Sequence, residues 1–110
     1  MIKSISVKHG KVNSICYIIN NKVAYISDVS EIKKKDLYHF KRLKYLIIDC
    51  LWYKKHPSHF NLEESLSLIK FLKPKKAILT NLHSDLDYNK LKKILPRNVS
   101  PAYDGLTVNF

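Results

Sequence analysis

The sequence predicts a single α/β domain, and three features carry that prediction. Residues 4–7, 14–19 and 23–27 are short runs rich in Ile, Val and Tyr, and the last two flank Asn20-Asn21-Lys22, a hairpin signal. Residues 45–49, YLIID, form a continuous apolar run of the kind that becomes a buried strand. A helical stripe and another strand-like run follow it, the order of a β-α-β crossover.

Taken in order, the first three runs make an antiparallel β unit. The charged segment 35–42 is expected to be helical. Asn61 reads as an N-cap with Glu64 three residues on, a capping box, and Leu62, Leu66, Ile69 and Leu72 then share one helical face. Pro74 ends that helix, and residues 77–80 form the next strand. Asp87 caps a short helix carrying Leu91 and Ile94, which Pro96 ends. The tail PAYDGLTVNF is expected to turn at Asp104-Gly105 and finish in a last strand. No internal repeat, low-complexity tract or linker interrupts the 110 residues, so one domain is expected.

Composition narrows the function classes. A hydrophobic content of 45% suffices for a modest core. No apolar run approaches the roughly 20 residues that cross a bilayer, and MIKSISVKHG lacks the apolar stretch of a secretion signal, so a cytoplasmic protein with no membrane partner is expected. Cys16 and Cys50 lie inside apolar runs without the spacing of a zinc or redox pair, and they read as small buried hydrophobes. The net charge of +11 would suit a nucleic acid, yet its lysines are scattered over residues 33–35, 54–55, 73–76 and 90–93. Arginine occurs only at Arg42 and Arg97, and the aromatic residues do not interleave with the basic ones in the manner of a stacking platform, which disfavours nucleic-acid binding.

The polar residues at predicted strand ends point to chemistry, because loops there present side chains over a rigid base. His9 follows the first strand and Asp28 the third; Asp49 ends YLIID, with His56 and His59 in the loop beyond; His83 and Asp85 follow the strand that ends at Thr80. Each alone has a structural explanation: Asp28 could begin a turn, His9 before Gly10 could be a turn histidine, and Asp49 could be a supporting carboxylate. His39, between Tyr38 and Phe40, reads as a surface or core residue. Together, four loops bring imidazoles and carboxylates to one edge, a ligand mixture suited to Zn, Mn or Fe.

The segments KHGKVNSICYII, YISDVSEI, LIIDCLWYKKHPSHFNLEESL, AILTNLHSDLDY and PAYDGL resemble, in that order, the C-terminal half of PhnP-like phosphodiesterases of the metallo-β-lactamase fold. The resemblance implies a partial metallo-β-lactamase-type sandwich, half of an α/β/β/α fold, in an enzyme where a hydroxide held by two divalent metals, Zn or Mn, attacks a phosphate ester. It implies His9 and Asp28 as metal ligands, Asp28 bridging both ions, and His59 as the catalytic histidine that hydrogen-bonds the phosphate or protonates the leaving oxygen. His56, Asp49 and Asp85 would support the site.

Two departures from the family pattern shape the expectation. Many relatives read LTH where this chain has Leu79-Thr80-Asn81, so His83 is expected to take over as the last ligand, oriented by Asn81. The HxHxDH segment that supplies most of the family's ligands is absent from these 110 residues. The chain therefore reads as a fragment or separately expressed half, whose uncovered apolar sheet face would pair with an N-terminal half or with itself. The alternative is a non-catalytic binding or structural domain that keeps the fold half.

Overall fold

A computed structural model describes residues 1–83 and 86–109. Six strands form one sheet in sequence order: β1 (Ile2–His9), β2 (Val12–Ile19), β3 (Val23–Ile26), β4 (Tyr45–Asp49), β5 (Lys76–Thr80) and β6 (Val99–Pro101). β1, β2 and β3 pair antiparallel, whereas β3, β4, β5 and β6 pair parallel. Parallel neighbours need a crossover, supplied here by a 3-10 helix (Lys34–Phe40), by α1 (Leu62–Leu72) and by α2 (Tyr88–Ile94).

Local chemistry explains the turns. Asn20 and Asn21, between β2 and β3, have φ of 53° and 55°, a left-handed conformation that asparagine tolerates better than most residues. The capping box of α1 forms as the sequence predicts: the Asn61 side chain accepts from Glu64 N–H at 2.8 Å, and the Glu64 carboxylate accepts from Asn61 N–H at 3.0 Å. Lys73, left-handed with φ 53°, closes the helix before Pro74.

Two elements differ from expectation. The segment expected as a helix over 35–42 is a 3-10 helix whose single fully buried residue is Phe40, and so short a piece, anchored at one point, gains little from α-helical propagation. The last strand precedes the tail's turn instead of following it, because Val99, Ser100 and Pro101 pair with Ala77, Ile78 and Leu79. The turn at Asp104-Gly105 forms, but residues 106–109 add no strand.

The core lies on one face of the sheet. Cys16, Ile18, Ala24, Ile26, Leu46, Ile48, Ala77, Leu79 and Val99 point inward and pack with Phe40, Ile69 and Leu72 of the helices. On the opposite face, register aligns Tyr17, Tyr25, Ile47 and Ile78 in one cross-strand row. Ile78 is covered, but Ile15, Tyr17 and Tyr25 remain exposed at 59%, 46% and 43%. These side chains make an exposed apolar patch on that face. Among the described residues, no helix is long and apolar enough to cross a membrane.

Candidate metal and acid-base site

Strand direction decides which loops meet. β1 runs antiparallel to β2, which runs antiparallel to β3, so the C-terminal end of β1 lies at the same edge as those of β3, β4 and β5. His9 ends β1, Asp28 lies two residues beyond β3, Asp49 ends β4 and Asn81 follows β5. The 50–61 connection between β4 and α1 brings His56 and His59 back over the same edge, where Phe60 N–H donates to the Val29 carbonyl at 2.8 Å.

One ligand atom from each of His9, Asp28 and His59 lies within 4.8 Å of the others. The rings of His9 and His59 meet edge to face with centroids 4.7 Å apart. Two imidazoles and a carboxylate at this spacing suit a divalent cation. The ring nitrogens on the far side are already engaged. His9 Nδ1 lies 2.6 Å from the Ser58 carbonyl, which can only accept, so Nδ1 carries the proton and Nε2 keeps its lone pair for the site. His59 Nδ1 lies 2.6 Å from Asp49 Oδ2, an arrangement that presents its Nε2 in the same way.

Asp49 is the buried hub beneath these groups. It is fully buried, and its Oδ2 also accepts from Val29 N–H at 3.1 Å. Burial pushes its carboxyl above the ordinary carboxylate range, against the opposing pull of the Val29, His59 and Asn81 hydrogen bonds. The Ser65 hydroxyl of α1 donates to the Asp49 carbonyl at 2.5 Å, tying the helix to the end of β4.

The remaining candidates lie around this group. Asn81, with φ 60°, donates from its amide to the Ser27 carbonyl and, at 3.4 Å, to Asp49 Oδ1, whereas the sequence reading has it orienting His83. His83 stacks on Trp52 with centroids 5.4 Å apart, outside the His9, Asp28 and His59 group. His56 accepts from Ser58 N–H through Nδ1 at 3.0 Å, and its ring lies 5.3 Å from that of His59. Asp85 lies outside the described residues. Two larger grooves, of about 750 and about 890 Å³, flank α1, but none of His9, Asp28 and His59 lines either. They are mostly apolar and lack the donor set of the strand-end site.

Sequence reasoning missed Ser58, Gly10 and Ser65. Ser58 acts through its main chain, which no residue type advertises, and Ser65 reads only as one more helical position.

This fold and site define half of a metallo-β-lactamase-type architecture: a mixed sheet with helices on one face and a His/Asp cluster at its strand ends. The chain superposes on a diphosphatase of the PhnP family with a TM-score of 0.95 and 30% identity, over 99% of this chain and 43% of that one. It also matches the short form of human tRNase Z (TM-score 0.73, 13% identity, 98% of this chain and 42% of that one). A metallo-β-lactamase fold protein from Bacillus subtilis matches at TM-score 0.73 and 19% identity, over 96% of this chain and 48% of that one. In sequence, the chain is 29% identical over 108 residues to an octanoyltransferase of Porphyromonas gingivalis (strain ATCC BAA-308 / W83), a match covering 96% of this chain and 22% of that protein. No family model matches. The chain thus spans less than half the length of each of these proteins, and its resemblance to PhnP-like enzymes is borne out by the diphosphatase.

Proposed function

We propose that this chain is the C-terminal half of a cytoplasmic metal-dependent hydrolase of phosphodiesters or related phosphate esters, completed by a polypeptide that carries an HxHxDH segment. The observation that carries the reading is the convergence of His9, Asp28 and His59 donor atoms within 4.8 Å, from three loops at one sheet edge. The 30% identity to a PhnP-family diphosphatase supports a phosphate ester as substrate class. His9 and Asp28 would hold Zn or Mn, with His59 beside them in the same group. Bound there, a divalent cation supplies Lewis acidity toward phosphoryl oxygens.

The chain's own residues divide the remaining work. Asp49 accepts from His59 Nδ1, which fixes the ring and leaves Nε2 facing the site. In the proton-carrying form, His59 gives its Nε2 proton to the oxygen that departs from phosphorus as a hydroxide oxygen bonds to it; the buried Asp49 carboxylate stabilises the imidazolium before transfer. Asp28, exposed beside the site, would provide the anionic contact for the cation. The apolar row of Tyr17 and Tyr25 on the uncovered sheet face is where the completing half would pack.

The test is hydrolysis of a model phosphodiester by the chain with its HxHxDH-bearing half and added Mn or Zn, compared with His59→Ala and Asp28→Asn. Activity in the pair that is lost in both variants is expected. A pair that stays inactive despite bound metal would remove the hydrolase reading.

A further inference from the structure

We propose that the Gly10 turn and the Ser58 carbonyl form one positioning device that sets His9 in its cation-binding tautomer, so that the loop bearing His59 also controls the ligand on β1. The inference rests on the reading of His9 as a metal ligand, and it adds residues that this reading does not use.

Ser58 immediately precedes His59, yet its carbonyl reaches across 49 positions of sequence to His9 Nδ1, at 2.6 Å. That oxygen can only accept, so the contact holds the proton on Nδ1 and leaves the Nε2 lone pair for a cation. The two histidines are therefore not independent. A displacement of the 56–59 loop moves His59 and removes the partner that fixes His9.

The loop comes this close because residue 10 is glycine. Gly10 has φ +65°, and a Cβ placed on it would lie 2.5 Å from Ser58 Oγ and 3.4 Å from Ser58 Cβ. A side chain at residue 10 fits only if the Ser58 hydroxyl or the loop gives way. Further bonds hold both partners in place. Gly10 N–H donates to Ser30 Oγ at 3.0 Å, and Ser30 Oγ donates to the Lys8 carbonyl at 3.3 Å, which ties the turn to the segment after Asp28. Ser58 N–H donates to His56 Nδ1 at 3.0 Å, which braces the loop from within. Gly10 and Ser58 are positioning residues here, since neither side chain touches the cation site.

The clash distances separate two effects of Gly10→Ala. Alanine at φ +65° is strained wherever it stands, but that strain leaves the loop alone. Contact with Ser58 Oγ has to be relieved, by turning that hydroxyl away or by moving the loop, and it disappears when Ser58 is also changed to Ala, because the remaining Cβ sits at an ordinary 3.4 Å. The double variant should therefore recover His9 positioning while keeping the backbone strain.

Two measurements on the whole chain test this. Nitrogen-15 NMR of the imidazoles in metal-free protein should find His9 in the Nδ1–H form in the wild type, a tautomer mixture in Gly10→Ala, and a return toward Nδ1–H in Gly10→Ala/Ser58→Ala. Titration with Co²⁺ alone should show about tenfold or greater weakening in Gly10→Ala, the scale of a lost ligand-orienting contact, with recovery in the double variant. Asp28→Asn serves as the reference for the site itself. If Asp28→Asn leaves Co²⁺ binding unchanged, the metal reading fails, whatever Gly10 does. If Asp28→Asn weakens binding but Gly10→Ala does not, the positioning inference alone is overturned. A wild-type His9 in the Nε2–H form also overturns it, and that measurement holds even if Gly10→Ala fails to fold.

Discussion

Asp49 offers the sharpest test of how this site is built, because charge and hydrogen bonding at its carboxylate pull stability in opposite directions. Replacement by alanine leaves the buried Val29 N–H without its acceptor at 3.1 Å and His59 Nδ1–H without its acceptor at 2.6 Å. An orphaned buried donor costs about 1–3 kcal/mol. Val29 is fully buried, whereas the His59 side chain is 18% exposed and can turn partly to water. A loss of about 2–4 kcal/mol is therefore expected, a large share of the roughly 5–15 kcal/mol typical of a small domain. The isosteric Asp49→Asn keeps one oxygen for both donors and gives up chiefly the 3.4 Å contact with Asn81.

The pH dependence fixes the sign. Burial holds the Asp49 carboxyl above its ordinary value, so between the unfolded and folded pKa values the native protein binds more protons than the unfolded chain. Stability contributed by this group is therefore full below the ordinary carboxylate pKa of about 4 and falls as pH rises through the window above it. Asparagine has no such fall. Thermal melts of wild type, Asp49→Asn and Asp49→Ala across pH 4 to 8, a range chosen at roughly the span of the titration, should show Asp49→Asn gaining on the wild type as pH rises. Asp49→Ala should melt lowest throughout. An Asp49→Asn deficit that grows with pH would refute the reasoning, since it would mean that the carboxylate is net stabilised by its partners.

Further outcomes follow from other parts of the molecule. Burial pushes the Cys16 thiol up to about 11 and the Cys50 thiol up to about 12, so neither should react with iodoacetamide near neutral pH until the chain is unfolded, as mass spectrometry would record. Asn61→Ala removes the acceptor of the capping box and should cost about 1–2 kcal/mol in urea melts, whereas Asn61→Ser should retain most of it. Changing Tyr17 and Tyr25 together to Lys should abolish both self-association and pairing with a completing half in sedimentation measurements, while the melting temperature of the isolated chain stays close to that of the wild type, because both rings are already exposed.

Much of the local structure was legible in the residues themselves. Asn61 and Glu64 announce the start of α1, Pro74 its end, and Asn20-Asn21 the hairpin, because each signal operates within a few residues of chain. The positions of His9, Asp28 and Asp49 at or just past strand ends, and of His59 in the loop beyond YLIID, were equally visible. The roles suggested for His59 and Asp28 came from resemblance, which composition and spacing could not supply. The final strand was misplaced because the apolar residues of the tail resemble an edge strand, while the pairing that forms is set by the neighbouring β5, a non-local partner.

Sequence by itself determined the alternation of strands and helices and the presence of imidazoles and carboxylates at their ends, since periodicity and capping are short-range physics. Only the tertiary structure decided that His9 answers to the Ser58 carbonyl, that Asp49 is a buried hub shared by Val29, His59 and Asn81, and that a Cβ on Gly10 would meet Ser58. Those contacts join residues 10 to 49 positions apart, and their geometry exists only once strand register and loop path have been chosen by the packing of the whole domain.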